Sequence, residues 1–230
     1  EALSAIVRKK PRVHCITNTI AMDLTANILL AVGAHPSMTL GSDEIADFIA
    51  VASSLSVNIG TLDNPRRSVI PKAIQTALDY NKPWILDPVS VHISPQRLSF
   101  AQELCEMGPA VICGNQAEIN ALSGGQGACA ARELANKTGA VEAQTGEVDP
   151  VTDGVRSLMI SNGHSMQTRL SGIGCATTAL IAAFLAVDHD CFDATVQAVL
   201  AMGVAGEESV NHATGPGSLH MSLLDTIYSL

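Results

Sequence analysis

Three features of the sequence predict an α/β fold of three layers, with helices on both faces of a mainly parallel central sheet. Apolar runs of strand length alternate with longer helical stretches along the whole chain, and such alternation builds βαβ units. The composition is 47 % apolar but only 3 % aromatic, an Ala/Leu/Val/Ile-rich interior of the α/β kind rather than that of a β-sandwich. A length of 230 residues suffices to bury a substantial core, so residues 1–230 are expected to form a single domain.

The elements follow in order. Residues 1 to 10 are helix-prone and stop at Pro11. Val13-His14-Cys15-Ile16 reads as a strand; Thr17-Asn18-Thr19 supplies caps for a helix that reaches Val32 and closes at Gly33. Pro36 to Thr39 is a strand, and Ser42 opens a helix over Asp43 to Ser53. Ser56 to Ile59 is a buried strand ending in Gly60-Thr61, followed by a helix from Arg66 to Asn81. Trp84-Ile85-Leu86 ends at Asp87-Pro88, and Pro95 to Met107 is helical. Ala110 to Cys113 runs into Gly114-Asn115 and a helix over Gln116 to Leu122; Val141 to Gln144 ends in Thr145-Gly146. Arg156 to Ser161 and Met166 to Leu170 flank Asn162-Gly163-His164, a pattern that predicts a hairpin with a primed turn. Helices at Ile173 to Val187, Phe192 to Val210 and Ser218 to Leu230 complete the chain.

The third-to-last helix organises the rest. Ser171-Gly172-Ile173-Gly174-Cys175 opens it, and from Ala176 to Val187 only threonines interrupt the apolar residues, so it is expected to be buried all round. A helix start leaves about four N–H groups unpaired and carries roughly half a positive charge, and glycine lets an anion approach closely. A Gly-x-Gly is also an ordinary turn, but here the buried helix behind it would hold the loop rigidly. Cys175 stands where that field favours thiolate, predicting a pKa below the usual value of about 8.5.

Ligands of open α/β sheets lie beyond the carboxyl ends of the strands. The residues expected there are Asn18, Met38, Asn58 with Gly60, Asp87, Asn115 with Glu118, and Thr145. Most also have plain structural readings as caps, turns or core. His14 and Cys15 point to opposite faces of a strand and so cannot act as a pair.

The formal charge of −9, with no basic cluster beyond Arg8-Lys9-Lys10, argues against nucleic acid. No stretch reaches the ~18–20 apolar residues of a membrane span. The six cysteines lack regular spacing, which predicts neither a zinc site nor a disulfide framework. With no signal-peptide pattern at the start, a cytoplasmic location is expected.

Ten motifs in register resemble the hydroxyethylthiazole kinase family, of ribokinase-like fold, over nearly the whole chain. They are Ile16-Thr17-Asn18, Thr25-Ala26-Asn27, Gly33-Ala34-His35-Pro36-Ser37-Met38, Asn58-Ile59-Gly60-Thr61-Leu62, Leu86-Asp87-Pro88-Val89, Gly114-Asn115-Gln116-Ala117-Glu118, Thr145-Gly146-Glu147-Val148-Asp149, Asn162-Gly163-His164, Ser171-Gly172-Ile173-Gly174-Cys175 and Gly215-Pro216-Gly217-Ser218. The resemblance implies ATP-dependent phosphorylation of 4-methyl-5-(2-hydroxyethyl)thiazole in thiamine salvage. It also implies Mg²⁺ and a homotrimer with active sites at subunit interfaces. It places Met38 and Gly172, with Asn18 nearby, at the thiazole, and Thr145, Asn115 and Gly174 at ATP. Asp87 and Glu118 fall at acidic positions near the metal and phosphates, and Cys175 falls where most ribokinase-like kinases carry an aspartate base.

Three departures stand out. The family's Arg-Gly-Asn reads Cys113-Gly114-Asn115, so the ATP-contact position 113 lacks its cation, which a thiol cannot replace. Ser90-Val91-His92-Ile93 replaces a glycine-rich loop, and Ser123 to Ala128 is shorter than the family's loop. Two alternatives stay open: a related small-molecule kinase for pyridoxal or hydroxymethylpyrimidine, and a thiazole-binding protein without nucleotide chemistry.

Overall fold

The computed structural model describes residues 2–230; of the helix expected over 1–10, Glu1 lies outside them. Eight strands form one sheet in the order β2-β1-β3-β4-β5-β6-β7-β8. They are β1 (Arg12–Ile16), β2 (His35–Ser37), β3 (Ser54–Asn58), β4 (Trp84–Asp87), β5 (Val111–Asn115), β6 (Val141–Thr145), β7 (Asp149–Thr152) and β8 (Ser157–Ile160). The first six run parallel, and β7 and β8 are antiparallel additions at the edge.

The helices divide between the faces. One layer holds α1 (Ala2–Lys9), α2 (Met22–Ala31), α8 (Ile173–Leu185), α9 (Cys191–Val210) and α10 (Pro216–Ser229). The other holds α3 (Ile45–Ala50), α4 (Asn64–Asp79), α5 (Pro95–Cys105), α6 (Gln116–Ser123) and α7 (Ala130–Thr138). Strand residues alternate between two apolar clusters: Val111 and Cys113 of β5 pack toward α8, while Ile112 packs toward the other layer. The predicted three-layer architecture is the one observed.

α8 runs over the middle of the sheet, and every residue from Ala176 to Leu185 is buried, as the sequence predicts. Small residues admit it. On β3 the side facing α8 is Ser54, Ser56 and Asn58, and Ser54 Oγ donates to Ala182 O at 2.6 Å.

The structure departs from the expected elements at three places. The hairpin over 156–170 does not form: β8 pairs with β7 instead, and Ser165–Arg169 is a 3-10 helix. The observed turn is Asp153-Gly154-Val155-Arg156, where Asp153 Oδ1 accepts from both Val155 N and Arg156 N and Gly154 has φ +90°. Asn162-Gly163 is held to α9, since Glu207 accepts from Asn162 Nδ2 at 3.1 Å and Gly163 N at 3.0 Å. The second miss is α7, an amphipathic helix closed by Gly139 at φ +75°. α2 also begins later than expected, because Asn18 Oδ1 accepts from Ile20 N and Ala21 N and spends the cap on a turn.

Candidate active site

The start of α8 lies where the sheet's carboxyl ends converge. Gly172, its N-cap, has φ +83°, and a Cβ there would stand 2.9 Å from the Ala21 Cβ. Glycine is therefore required twice, for the left-handed backbone and for the close approach of α2. The first intrahelical bond runs from Ala176 N to Gly172 O, and no side chain caps the helix. Among the described residues, the N–H groups of Ile173, Gly174 and Cys175 meet no protein acceptor. A Cβ on Gly174 would meet nothing within 4 Å. Open space and unpaired donors coincide, which is the arrangement that receives an anion.

On one side of this helix start is a cavity of about 850 Å³. It is lined by Thr145, Gly146 and Asp149 from the β6–β7 turn, residues 161–165 with Gln167 and Thr168, Gly174 and Thr177 of α8, and Met202 and Gly203 of α9. Among the described residues, no Lys or Arg contributes. Two of the residues expected at ATP, Thr145 and Gly174, share this cavity. The stretch from Ser161 to Thr168 was missed as a site element because the expected hairpin hid it.

On the other side is a polar cluster. Cys175 Sγ accepts from Asn18 Nδ2 at 3.1 Å, and the same nitrogen donates to Asn58 Oδ1 at 3.1 Å. Asn58 Nδ2 donates to Asp87 Oδ2, which Thr178 Oγ1 also approaches at 3.3 Å. Asn18, Asp87 and Cys175, predicted from strand ends and the helix start, are thus brought together. The sequence marks Asn58 only as a strand end and does not single out Thr178. Parity held the signal: Asn58 and Asp87 are in register on adjacent strands and share the face that α8 covers, and Thr178 lies one turn beyond Gly174.

Glu118 is buried, and each of its oxygens takes one backbone N–H: Ser90 N at 2.7 Å and Asn115 N at 2.9 Å. It therefore ties the loop after β4 to the start of α6. Asn115 completes the capping box, its Oδ1 accepting from Glu118 N. Met38, just after β2, is half-buried against the α8-side core and takes no part in the cluster's hydrogen bonds.

The electrostatics overturn one expectation. Cys175 is pushed up to about 12, first by burial and then by the charge of Asp87, so the thiol is not activated by the helix start. Loss of water and a neighbouring carboxylate outweigh the helix field. Asp87 is itself raised to about 7, by burial and by the nearby charge of Glu118, against the lowering effect of its bonds from Asn58 and Thr178. Cys113 needs correction as a nucleotide contact. It is 2 % exposed, packs in the core beneath α8, and burial holds its thiol well above the ordinary range. It offers no surface to a phosphate.

The donors present can be tested against magnesium. Among the described residues no group of three His, Cys, Asp or Glu could hold a metal ion by itself. Magnesium commonly takes one or two carboxylates and completes its shell with water and substrate phosphates. Asp87, whose Oδ1 makes none of the bonds above, and Glu118 provide that donor set.

The chain matches the hydroxyethylthiazole kinase family over residues 3–230. It is 43 % identical over 236 residues to a hydroxyethylthiazole kinase of Cronobacter sakazakii, covering 96 % of this chain and 89 % of that one. A solved hydroxyethylthiazole kinase protein from Pyrococcus horikoshii superposes with a TM-score of 0.96 at 37 % identity, covering 100 % of this chain and 92 % of that one. A ribokinase-like superfamily protein from Enterococcus faecalis, at TM-score 0.74, 13 % identity and coverage of 99 % and 88 %, shares the fold alone.

Proposed function

The chain belongs to the hydroxyethylthiazole kinase family, and from that premise we propose that it transfers a phosphoryl group from ATP to the hydroxyethyl group of 4-methyl-5-(2-hydroxyethyl)thiazole, a salvage step of thiamine synthesis. The observation that carries this reading is the start of α8, whose unpaired amides stand between an open cavity and a cluster of Asn18, Asp87 and Cys175. ATP enters the cavity past Thr145, with Gly174 against its phosphates. The alcohol lies on the other side, near Asn18, Gly172 and Met38.

Phosphoryl transfer asks of the protein mainly positioning and charge stabilisation. The N–H groups of Ile173 to Cys175 donate to the transferred group, where charge develops. Asp87 and Glu118 would hold Mg²⁺ together with the phosphates, and the ion would neutralise charge on the transferred and leaving oxygens. The attacking hydroxyl faces Cys175. A thiol at about 12 costs about 7 kcal/mol to ionise at pH 7, at roughly 1.4 kcal/mol per unit. At neutral pH Cys175 is therefore a neutral thiol that orients the hydroxyl rather than a base, and the hydroxyl proton passes to an oxygen of the transferred phosphoryl group.

The test is ATP turnover with and without the thiazole alcohol: turnover that requires the alcohol supports the reading, and none with either overturns it. Cys175→Ala should lower kcat about tenfold or more, with Cys175→Asp serving as well as the native residue. An alanine variant with full activity removes Cys175 from the mechanism. The absence of Lys and Arg from the cavity favours one rival, a thiazole-binding protein without nucleotide chemistry. Calorimetry separates the two, since the rival binds the alcohol and not ATP. The family resemblance also supports a homotrimer with sites at subunit boundaries, which light scattering on the purified protein tests. Free cysteines, and helices too short or polar to cross a membrane among the described residues, agree with a cytoplasmic enzyme.

A further inference from the structure

Asn58 has no role in the reaction above, yet the polar cluster is joined through it. It ends β3 on the α8 face, is 1 % exposed, and lies in register with Asp87. Its carboxamide makes three bonds, and their direction follows from the partners. An ionised carboxylate only accepts, so the atom facing Asp87 Oδ2 is the nitrogen. The oxygen then accepts from Gly60 N at 2.9 Å and from Asn18 Nδ2 at 3.1 Å. Asn18 is fixed in turn. Its oxygen is spent on Ile20 N and Ala21 N, so its nitrogen serves Asn58 and the Cys175 sulfur.

Space around the junction is equally constrained. A Cβ on Gly60 would stand 2.9 Å from both Asn58 Oδ1 and Asn18 Cβ. Asn58 and Thr178 both approach the same oxygen of Asp87, Oδ2. Holding the turn at Gly60 accounts for one bond of Asn58; the other two go to groups of the reaction.

We propose that Asn58 is a positioning residue for phosphoryl transfer, which clamps Asp87 by Oδ2 with Thr178, leaves Oδ1 to the reacting groups, and holds the Asn18 amide on the Cys175 sulfur. The inference rests on the roles given above to Asp87 and Cys175. Its signature is directional. Asn58→Asp keeps the acceptor for Gly60 and Asn18 but sets a second carboxylate against Asp87, whereas Asn58→Ala releases both partners.

The experiment measures kcat and the KM for the thiazole alcohol at saturating ATP and Mg²⁺, per folded molecule, with thermal unfolding of each variant. Asn58→Asp should lose about 30-fold or more in kcat with the alcohol KM within about threefold, while Asn58→Ala raises that KM as well. Thr178→Val, a near-isostere without the hydroxyl, should lose about tenfold in kcat, and Thr178→Ser should restore most of it. A merely structural Asn58 would lower the unfolding temperature without moving kcat or KM per folded molecule. Asn58→Asp within threefold of the native kcat, or indistinguishable Thr178 variants, overturns the proposal. Should Asn58→Asp not fold, the Thr178 pair decides. Asp87→Ala, run alongside, separates two failures. If it is inactive while Asn58→Asp is unimpaired, only the positioning role falls; if it is fully active, the reading of Asp87 falls and takes the inference with it.

Discussion

Replacing Glu142 should stabilise this protein, and by an amount that grows with pH. Glu142 lies in the middle of β6, fully buried, and neither carboxylate oxygen has a hydrogen-bond partner. Its neighbours Val141 and Ala143 pack toward α8, so its side chain enters the opposite layer, near Cys105 of α5 and Lys137 of α7. Burial pushes the carboxyl well above its ordinary 4.5, so the folded protein holds a proton that the unfolded chain releases. The sign follows: stability is complete below pH 4.5 and is lost as pH rises toward the folded-state value. Keeping that proton therefore costs more at pH 7 than at pH 5, by about 1.4 kcal/mol for each unit over which the fold holds it. Glu142→Leu removes this cost and also the roughly 1–3 kcal/mol penalty of a buried polar group without a partner. The measurement is urea unfolding of the native protein and Glu142→Leu at both pH values. A gain larger at pH 7 than at pH 5 is expected, seen in thermal scans as a larger upward shift of the midpoint at pH 7. Turnover should be unchanged, since Glu142 makes no hydrogen bond to any residue of the site. A gain of the same size at both pH values, or none, would refute the claim that the carboxyl is buried and protonated.

His14 should show the opposite dependence. Burial lowers it to about 4 despite the Thr39 carbonyl and the charge of Glu44, so the unfolded chain gains a proton below 6.5 that the fold refuses. Stability relative to His14→Gln should fall by about 3 kcal/mol as pH drops from 6.5 to 4, and parallel curves for the two proteins would contradict this. Gly172→Ala must accommodate a Cβ 2.9 Å from Ala21 Cβ at positive φ and should cost about 1–3 kcal/mol of stability, measured by denaturant unfolding. Gly174→Ala meets no neighbour, so it should fold normally and raise the KM for ATP several-fold; an unchanged KM would take the phosphates away from this helix start. Because no Lys or Arg lines the cavity, chelation of divalent cations should abolish turnover, and activity in excess EDTA would contradict that reading.

The sequence alone determined the layered α/β class, the buried helix α8 with its glycine-rich start, and the strand ends at which Asn18, Asp87 and Thr145 emerge. These are legible because periodicity, caps and glycines act over a few residues, and a fully apolar helix can only be buried. It did not determine which strand end faces which. That Asn58 meets Asp87, and that Thr178 reaches the same carboxylate, depends on register and on how α8 lies across the sheet, which join positions 58, 87 and 178. Nor could it give the sign of the shift at Cys175. The helix field is local and can be read from Gly172 to Cys175, but burial and the charge of Asp87 come from other parts of the chain and outweigh it. The hairpin over 156–170 failed for the same reason. A Gly in a favourable dipeptide specifies a turn only until a more distant group, here Glu207 on α9, binds the same backbone in another conformation.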